Sequence, residues 1–285
     1  MLDQFQYVEG QGRPGFATLI PRFEALSAAA ATNGRLDIRY GEAARECFDF
    51  FGADQPRATL VFFHAGYWQS RDKATFRFIA PAFTRHGVQV ALVNYPLCPH
   101  VSIGHLVEAA RRAVTAVRAH VASLGGGGLP LVAAGHSAGG HIAVELAFTR
   151  WASRQPPAPA IDAVVALSGI YDLAPLTRTT LNANLGLDAA SALRHSPLWR
   201  VPLLAPPALF AVGASETPAF LSQTNAMHAA WLAAGHTSTQ HVVADADHFT
   251  LLNALVDPDS SLQQAVVRLI DGLARPVTDP AGSAR

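Results

Sequence analysis

Residues 135–139 read Gly-His-Ser-Ala-Gly, a G-x-S-x-G pattern whose central residue, Ser137, could act as a nucleophile. An apolar run at 131–134 precedes this pattern, and a helical pattern at 140–148 follows it. A sharp turn between a strand and a helix pushes the serine hydroxyl out of the backbone. The flanking glycines suit such a turn because they leave room beside the serine and tolerate strained dihedral angles. We therefore predict that Ser137 attacks a substrate and forms an acyl-enzyme.

A serine hydroxyl is a weak nucleophile at neutral pH, so it needs a general base, and the base needs an orienting acid. Chains that carry the serine on this kind of turn place the three residues in the order serine, acid, histidine. His248 follows the last predicted strand, in the segment Ala-Asp-Ala-Asp-His-Phe at 244–249. This position predicts that His248 is the general base.

Two acidic residues could orient that histidine. Glu216 follows the predicted strand at 208–212, where the chain order favours the acid, although a glutamate there could also stabilise a helix N-terminus. Asp172 follows the preceding strand and is the alternative, although it could simply cap the next helix. Asp245 and Asp247 are too close to His248 in sequence to orient it. Glu216 is the favoured acid, and Asp172 stays open.

An oxyanion hole needs two backbone N–H groups directed at the developing negative charge. One is predicted to come from Ala138, which follows the nucleophile. The other is predicted to come from Gly66 or Tyr67, in the segment His-Ala-Gly-Tyr-Trp at 64–68, which is close to the HGGG-type motif. Ala65 stands where that motif has its first glycine, so its methyl group must fit into the turn. His64 is predicted to be structural, fixing the loop through hydrogen bonds.

Apolar runs and helical patterns alternate along the chain, which predicts an α/β fold with a mostly parallel sheet and helices on both faces. The segment 35–50 is expected to form antiparallel edge strands, and 172–207, too long for a simple crossover, a small cap of short helices. Strands are predicted at 58–63, 88–93, 131–134, 161–167, 208–212 and 239–243, and helices at 76–86, 103–124, 140–148, 218–234 and 260–273.

The composition suits one globular domain over residues 1–275, followed by a disordered tail at 276–285. The 285 residues are half hydrophobic and carry a formal net charge of zero, which argues against nucleic-acid or membrane-surface binding. The first residues lack the pattern of a signal peptide, and no apolar run is long enough to span a membrane. Cys47 and Cys98 are expected to be free thiols in a cytoplasmic protein. A homodimer is left open.

The sequence gives weaker support for a metal or phosphate site than for a serine nucleophile. His136 and His141 flank Ser137, but the chain has no H-E-x-x-H motif and no paired cysteine ligands. The glycine run at 125–128 precedes a strand instead of following one, and no Gly-Lys-Ser/Thr follows it. We therefore expect neither a metal nor a cofactor.

Four separated motifs resemble the kynurenine formamidase (arylformamidase) branch of the α/β-hydrolases. Residues 64–68 resemble its H-G-G-Y-W segment, 94–102 its N-Y-x-L-C-P, 168–173 its S-G-x-Y-D-L and 216–223 its D-S-P-E-F-x-x-Q. The similarity spans about residues 7–273 and implies an α/β-hydrolase fold, with Glu216 as the triad acid in place of the usual aspartate.

The resemblance implies hydrolysis of N-formyl-L-kynurenine to L-kynurenine and formate without a cofactor. The expected partner is thus a small aromatic molecule, with a general short-chain carboxylesterase on aryl esters as the alternative and a non-catalytic binding protein as a remote one. No arginine or lysine is clearly placed to hold an amino-acid carboxylate. Aromatic side chains beside the catalytic loops could enclose the substrate ring, and a histidine one helical turn after Ser137 could face it; these candidate pocket residues are Tyr67, Trp68, His141, Tyr171 and Phe249.

Overall fold

The computed structural model describes residues 2–12, 15–151 and 160–273, and most of its core is one eight-stranded sheet. The predicted tail at 276–285 lies outside the described residues. The strands are β1 (Arg35–Arg39), β2 (Cys47–Phe51), β3 (Ala58–Phe63), β4 (Val88–Val93), β5 (Leu131–His136), β6 (Ala163–Leu167), β7 (Ala208–Gly213) and β8 (Ser238–Val243).

The α-helices described are α1 (Leu2–Tyr7), α2 (Phe16–Ala31), α3 (Ala80–Thr84), α4 (Ile103–Ser123), α5 (Ala138–Ala147), α6 (Asn182–Leu185), α7 (Ala189–Arg194), α8 (Pro218–Ala233), α9 (Leu251–Val256) and α10 (Ser261–Asp271). Short 3₁₀ segments cover Glu9–Gln11, Lys73–Ile79, Ala174–Arg178 and Pro197–Trp199.

The strand order is β1-β2-β4-β3-β5-β6-β7-β8. β2 pairs antiparallel with β1 and β4, and every pair from β4 to β8 is parallel. The α/β fold and the antiparallel edge strands are therefore confirmed. β3 to β7 are buried along their whole length because helices cover both faces, whereas β8 is an edge strand and is partly exposed.

Side chains alternate between the two faces of the sheet and feed two hydrophobic cores. Val61 and Phe63 of β3 point to the face covered by α4, α5 and α8. Leu60 and Phe62 point to the opposite face, covered by α2, α3, α9 and α10. Ser137 and the loops around it therefore lie on a rigid frame, at the carboxyl edge of the parallel strands.

The predicted helix at 76–86 differs from the structure. A 3₁₀ segment begins at Lys73, where the Asp72 side chain accepts a hydrogen bond from Ala74 N–H (2.9 Å), and α3 replaces it at Ala80. Pro81 lies in the first turn of α3, where its fixed φ and missing N–H are tolerated. The spacing of apolar residues correctly predicts that this segment is helical. It does not show that the segment contains a 3₁₀ helix followed by an α-helix.

The segment between β6 and β7 folds into four short helical pieces, among them α6 and α7. The N-terminal segment, which we define as Leu2–Gln11, lies against this region and against α8. Asp3 pairs with Arg178 (2.6 Å), and Gln6 O accepts a hydrogen bond from the Thr217 hydroxyl (2.7 Å).

Both cysteines are buried free thiols, as predicted. Burial raises the pKa of the Cys98 thiol to about 11, so this sulfur stays protonated at neutral pH. Within the described ranges, none of the helices is both long and apolar enough to cross a bilayer.

Candidate active site

Ser137 lies on a strained turn between β5 and α5. Its φ of 57° and ψ of −118° are rare for a residue with a side chain, and strain of this kind is common at functional sites. Its neighbours have to be glycine, because a Cβ at Gly139 would lie 1.9 Å from the Phe63 carbonyl oxygen, and one at Gly135 would lie 2.1 Å from the Gly139 carbonyl oxygen. The close approach at Gly139 holds the start of α5 against the end of β3, so the serine and the loop after β3 are neighbours.

His248 lies in the loop after β8, and its ring nitrogen Nδ1 is 2.7 Å from Glu216 Oε2. Its carbonyl oxygen accepts a hydrogen bond from His136 Nε2 (2.6 Å), which ties the histidine loop to the residue before Ser137. Phe220 packs against the His248 ring at 4.5 Å between centroids. Among the described residues, Ser137 Oγ has no hydrogen bond to His248, a contact that commonly tightens only when substrate binds.

Glu216 is buried and both of its carboxylate oxygens are used. Oε2 faces His248, while Oε1 accepts hydrogen bonds from the Ser168 hydroxyl and from Gly213 N–H (2.9 Å). Asp172, the alternative acid, points elsewhere, since its Oδ1 accepts a hydrogen bond from Ala174 N–H (3.0 Å) at the start of the next helical segment. The carboxylate that contacts the histidine therefore belongs to Glu216.

The loop after β3 has an unusual backbone. Gly66, Tyr67 and Trp68 all have positive φ, at 129°, 51° and 59°, and a Cβ at Gly66 would lie 2.1 Å from the Ser70 carbonyl oxygen. Among the described residues, the backbone N–H groups of Gly66, Tyr67 and Ala138 have no acceptor. These are the groups that the sequence predicts for an oxyanion hole. The Ala65 methyl group fits, because it packs in the core beneath the loop.

His64 supports this loop, as predicted. Its Nδ1 lies 2.7 Å from the Ala65 carbonyl oxygen, its Nε2 lies 3.3 Å from an Arg45 guanidinium nitrogen, and its ring stacks on Tyr95 at 4.4 Å. Burial lowers the pKa of His64 to about 4, so the ring is neutral at pH 7. These contacts assign the proton to Nδ1, which donates to Ala65, and leave Nε2 to accept from Arg45.

The N-terminal segment also holds the hydroxyl end of Tyr67, in the loop after β3. The Tyr67 hydroxyl donates a hydrogen bond to the Tyr7 carbonyl oxygen, and the Tyr7 hydroxyl accepts one from Gln223 Nε2 (2.8 Å). Sequence reasoning missed this support, because the N-terminal segment contains no motif. It also gave Ser168 and Gln223 no role, although both lie in segments that resemble family motifs.

The candidate pocket residues fall into two groups. Trp68, His141 and Tyr171 have no exposed surface, and the Trp68 and His141 rings meet edge to face at 5.1 Å. Burial lowers the pKa of His141 to about 4, and its Nε2 hydrogen-bonds to the His195 carbonyl oxygen (2.8 Å) in the region between β6 and β7. Tyr67 and Phe249 are partly exposed. Contact of these five residues with substrate stays a prediction.

No group of three or more histidine, cysteine or acidic side chains in the described ranges is arranged to hold a metal ion. His136 lies beside His248, with ring centroids 4.6 Å apart, and burial lowers its pKa well below the ordinary value, chiefly by desolvation. His136 is therefore neutral and serves to position the His248 backbone.

Comparison with known proteins agrees with the fold. A family model described as the alpha/beta hydrolase fold matches residues 60–252, so the chain is an α/β-hydrolase enzyme. Kynurenine formamidase from Danio rerio is 31% identical over 251 residues, covering 85% of this chain and 84% of the relative. The Salmo salar enzyme of the same name is 31% identical over 246 residues, covering 82% and 81%. The chain belongs to the kynurenine formamidase-like branch of the α/β-hydrolases.

A solved structure of a proposed thioesterase from Silicibacter sp. tm1040 is also similar. It superposes with a TM-score of 0.80 at 30% sequence identity and covers 95% of this chain and 99% of that one. An esterase from Pyrobaculum calidifontis superposes with a TM-score of 0.68 at 18% identity, over 96% of this chain and 97% of that one, and shows the shared fold alone.

Proposed function

We propose that this hydrolase converts N-formyl-L-kynurenine to L-kynurenine and formate through a triad of Ser137, Glu216 and His248. The observation that carries the proposal is the 2.7 Å contact between Glu216 Oε2 and His248 Nδ1, beside the strained turn that presents Ser137. The substrate assignment rests on the kynurenine formamidase relatives, and the buried free thiols of Cys47 and Cys98 support a cytoplasmic location.

The first half-reaction forms a formyl-enzyme. Ser137 Oγ attacks the formyl carbon while His248 Nε2 takes the hydroxyl proton. The carbonyl oxygen becomes an oxyanion, which the N–H groups of Ala138 and of Gly66 or Tyr67 stabilise. The intermediate then expels the aryl amine, which takes its proton from His248.

The second half-reaction reverses these roles with water as the nucleophile. His248 removes a proton from the water as it attacks the formyl ester, and returns that proton to Ser137 Oγ as formate leaves. Glu216 keeps the proton of the neutral imidazole on Nδ1 and stabilises the imidazolium in both halves. No step consumes a cofactor.

A short-chain carboxylesterase is the second candidate, because the same triad cleaves esters and the similar Silicibacter structure is described as a thioesterase. The C–N bond of a formamide is harder to cleave than the C–O bond of a phenyl ester, since an amine is a poorer leaving group than a phenol. Relative turnover of the two substrates therefore separates the candidates.

The test measures formate release from N-formyl-L-kynurenine and phenol release from phenyl acetate by the purified protein. The proposal expects kcat/KM for the formamide to equal or exceed that for the ester. Ser137→Ala should lower both by at least about a thousandfold and abolish labelling by a fluorophosphonate probe. Ser123→Ala, at an exposed position on α4, is the matched control. Ester cleavage without formamide cleavage would favour the esterase, and full activity of Ser137→Ala would refute the triad.

A further inference from the structure

Arg71 lies directly after the candidate oxyanion loop, and its place is fixed. Its φ is 75°, and its carbonyl oxygen accepts a hydrogen bond from an Arg45 guanidinium nitrogen (2.8 Å). Its Cγ lies 3.0 Å from where a Cβ on Gly66 would be. The side chain therefore begins against the loop that carries the predicted N–H donors.

The same side chain ends beside the catalytic histidine loop. Its guanidinium carbon lies 5.5 Å from the Phe16 ring centroid and 5.9 Å from that of Phe249, which are cation–π distances. Phe249 follows His248 in the chain, and their rings are 5.3 Å apart. Arg71 thus bridges the two loops between which the substrate must react.

The charge of Arg71 has no anionic partner among the described residues, where its guanidinium makes neither an ion pair nor a hydrogen bond. Asp247, close by in the loop that holds His248, has one carboxylate oxygen engaged within its own loop. Its Oδ1 accepts hydrogen bonds from Phe249 N–H (3.0 Å), Thr250 N–H (2.8 Å) and the Thr250 hydroxyl (2.8 Å). Stacking on aromatic faces leaves the in-plane N–H donors of a guanidinium available to a ligand.

A cavity of about 180 Å³ opens at this place, and Phe16 and Phe249 both line it. Arg22, Asp247 and Thr250 also line it, whereas Arg71 adjoins the cavity through its contacts with the two rings. The cavity therefore combines two aromatic rings with the charged side chains of Arg22 and Asp247, next to the loop that holds His248. It can accommodate a carboxylate and the atoms that carry it.

We propose that Arg71 binds a carboxylate on the leaving-group side of the substrate. This inference rests on the proposed function and names the residue that would recognise the anionic side chain on the ring of the aryl formamide. The acyl side of a formamide is a single small group, so most of the binding energy has to come from the leaving group. A guanidinium suits this task because it holds a carboxylate through two parallel hydrogen bonds.

The test compares N-formyl-L-kynurenine with its carboxamide, which lacks only the negative charge. Arg71→Gln should lower kcat/KM for the carboxylate about tenfold to a hundredfold, mainly through KM, as expected for a charge-assisted hydrogen bond. It should change kcat/KM for the carboxamide less than about twofold, because the reacting atoms are untouched. Arg71→Lys should recover only part of the loss, since lysine lacks the bidentate geometry.

Arg268→Gln, on the exposed face of α10, is the matched control and should alter neither substrate. Unchanged fluorophosphonate labelling of Arg71→Gln shows that the variant is folded and its serine reactive. Equal losses on the two substrates would overturn the proposal by showing a structural role. The proposal would also be overturned if Arg22→Gln, and not Arg71→Gln, lowered kcat/KM for the carboxylate substrate alone.

A protein that cleaves no formamide would refute the proposed function but would still allow this inference to be tested. Two aryl acetates would then be compared, one with a carboxylate on a side chain of the ring and the other its methyl ester. A decrease in kcat/KM for the charged ester alone in Arg71→Gln would support the anion site. Equal rates in the wild type and the variant would reject it.

Discussion

The Ser168 hydroxyl donates a hydrogen bond to Glu216 Oε1, the carboxylate oxygen that does not face His248. Ser168 itself has a positive φ of 47°, and its N–H donates to the Ala211 carbonyl oxygen (2.7 Å). The serine is therefore anchored to β7, the strand that leads to Glu216. This arrangement fixes the plane of the carboxylate and with it the direction of the bond to the imidazole.

Ser168→Ala tests that relationship. Gly213 N–H still holds Oε1 in this variant, so we expect kcat to fall about tenfold, in line with the loss of one hydrogen bond to a charged group. KM should stay nearly constant because Ser168 is fully buried. Steady-state kinetics check this, and a rise in KM at constant kcat would contradict the positioning role.

Glu216→Gln and Asp172→Asn should differ strongly in activity. The amide that replaces the Glu216 carboxylate would favour the wrong imidazole tautomer, and kcat should fall about a thousandfold to ten-thousandfold. Asp172→Asn weakens only the hydrogen bond to Ala174 N–H, so activity should change no more than a few fold while the melting temperature drops slightly. The reverse ranking in kcat would assign the acid to Asp172.

Tyr67→Phe removes the hydrogen bond from the loop to the Tyr7 carbonyl oxygen. Because Tyr67 holds a strained φ of 51°, we expect the loop to relax and kcat to fall about threefold to tenfold. Tyr40→Phe is the matched control, since its hydroxyl also donates to a backbone carbonyl, that of Asn94 (2.7 Å). An equal loss of kcat in the two variants would mean that the effect is not specific to the loop.

The buried neutral histidines predict a loss of stability in acid. Burial lowers the pKa of His64 and His141 to about 4, whereas an unfolded histidine titrates near about 6.5. Between these values the unfolded chain binds more protons, so the free energy of unfolding falls as the pH drops from about 6.5 to 4, by on the order of 3 kcal/mol for each such group.

Denaturant unfolding at several pH values measures this dependence. His141→Gln should reduce the slope of unfolding free energy against pH by about one proton over that interval. His100→Gln, at an exposed position, controls for the substitution itself. An unchanged slope in His141→Gln would show that this histidine does not contribute.

Acyl chain length should control turnover. Ser137 and His248 are only 1% and 3% exposed, so little free space surrounds the reacting atoms. We expect kcat/KM to decrease from formyl and acetyl to butyryl and octanoyl groups at a constant phenol leaving group, because overpacking costs about 1–3 kcal/mol. Faster cleavage of octanoyl than acetyl esters would contradict this expectation.

Sequence reasoning succeeded where local pattern and chain order carry the information. The buried strands β3 and β4 matched their predicted limits, since continuous apolar runs are typical of a parallel sheet covered on both faces. Helix α2 was not predicted, because its alanine-rich stretch and Pro21 give a weak amphipathic signal. Contacts such as Arg71 with Phe16 join segments that are remote in sequence, and only the folded chain reveals them.

The N-terminal segment also bears on where the functional unit begins. The family model starts at residue 60, yet the carbonyl that holds Tyr67 and the hydroxyl that meets Gln223 both belong to Tyr7. A shortened chain that starts after residue 11 would keep every strand of the sheet but lose both contacts. The boundaries of the matched family are therefore a poor guide for trimming this enzyme, and progressive N-terminal deletion should impair catalysis before it unfolds the sheet.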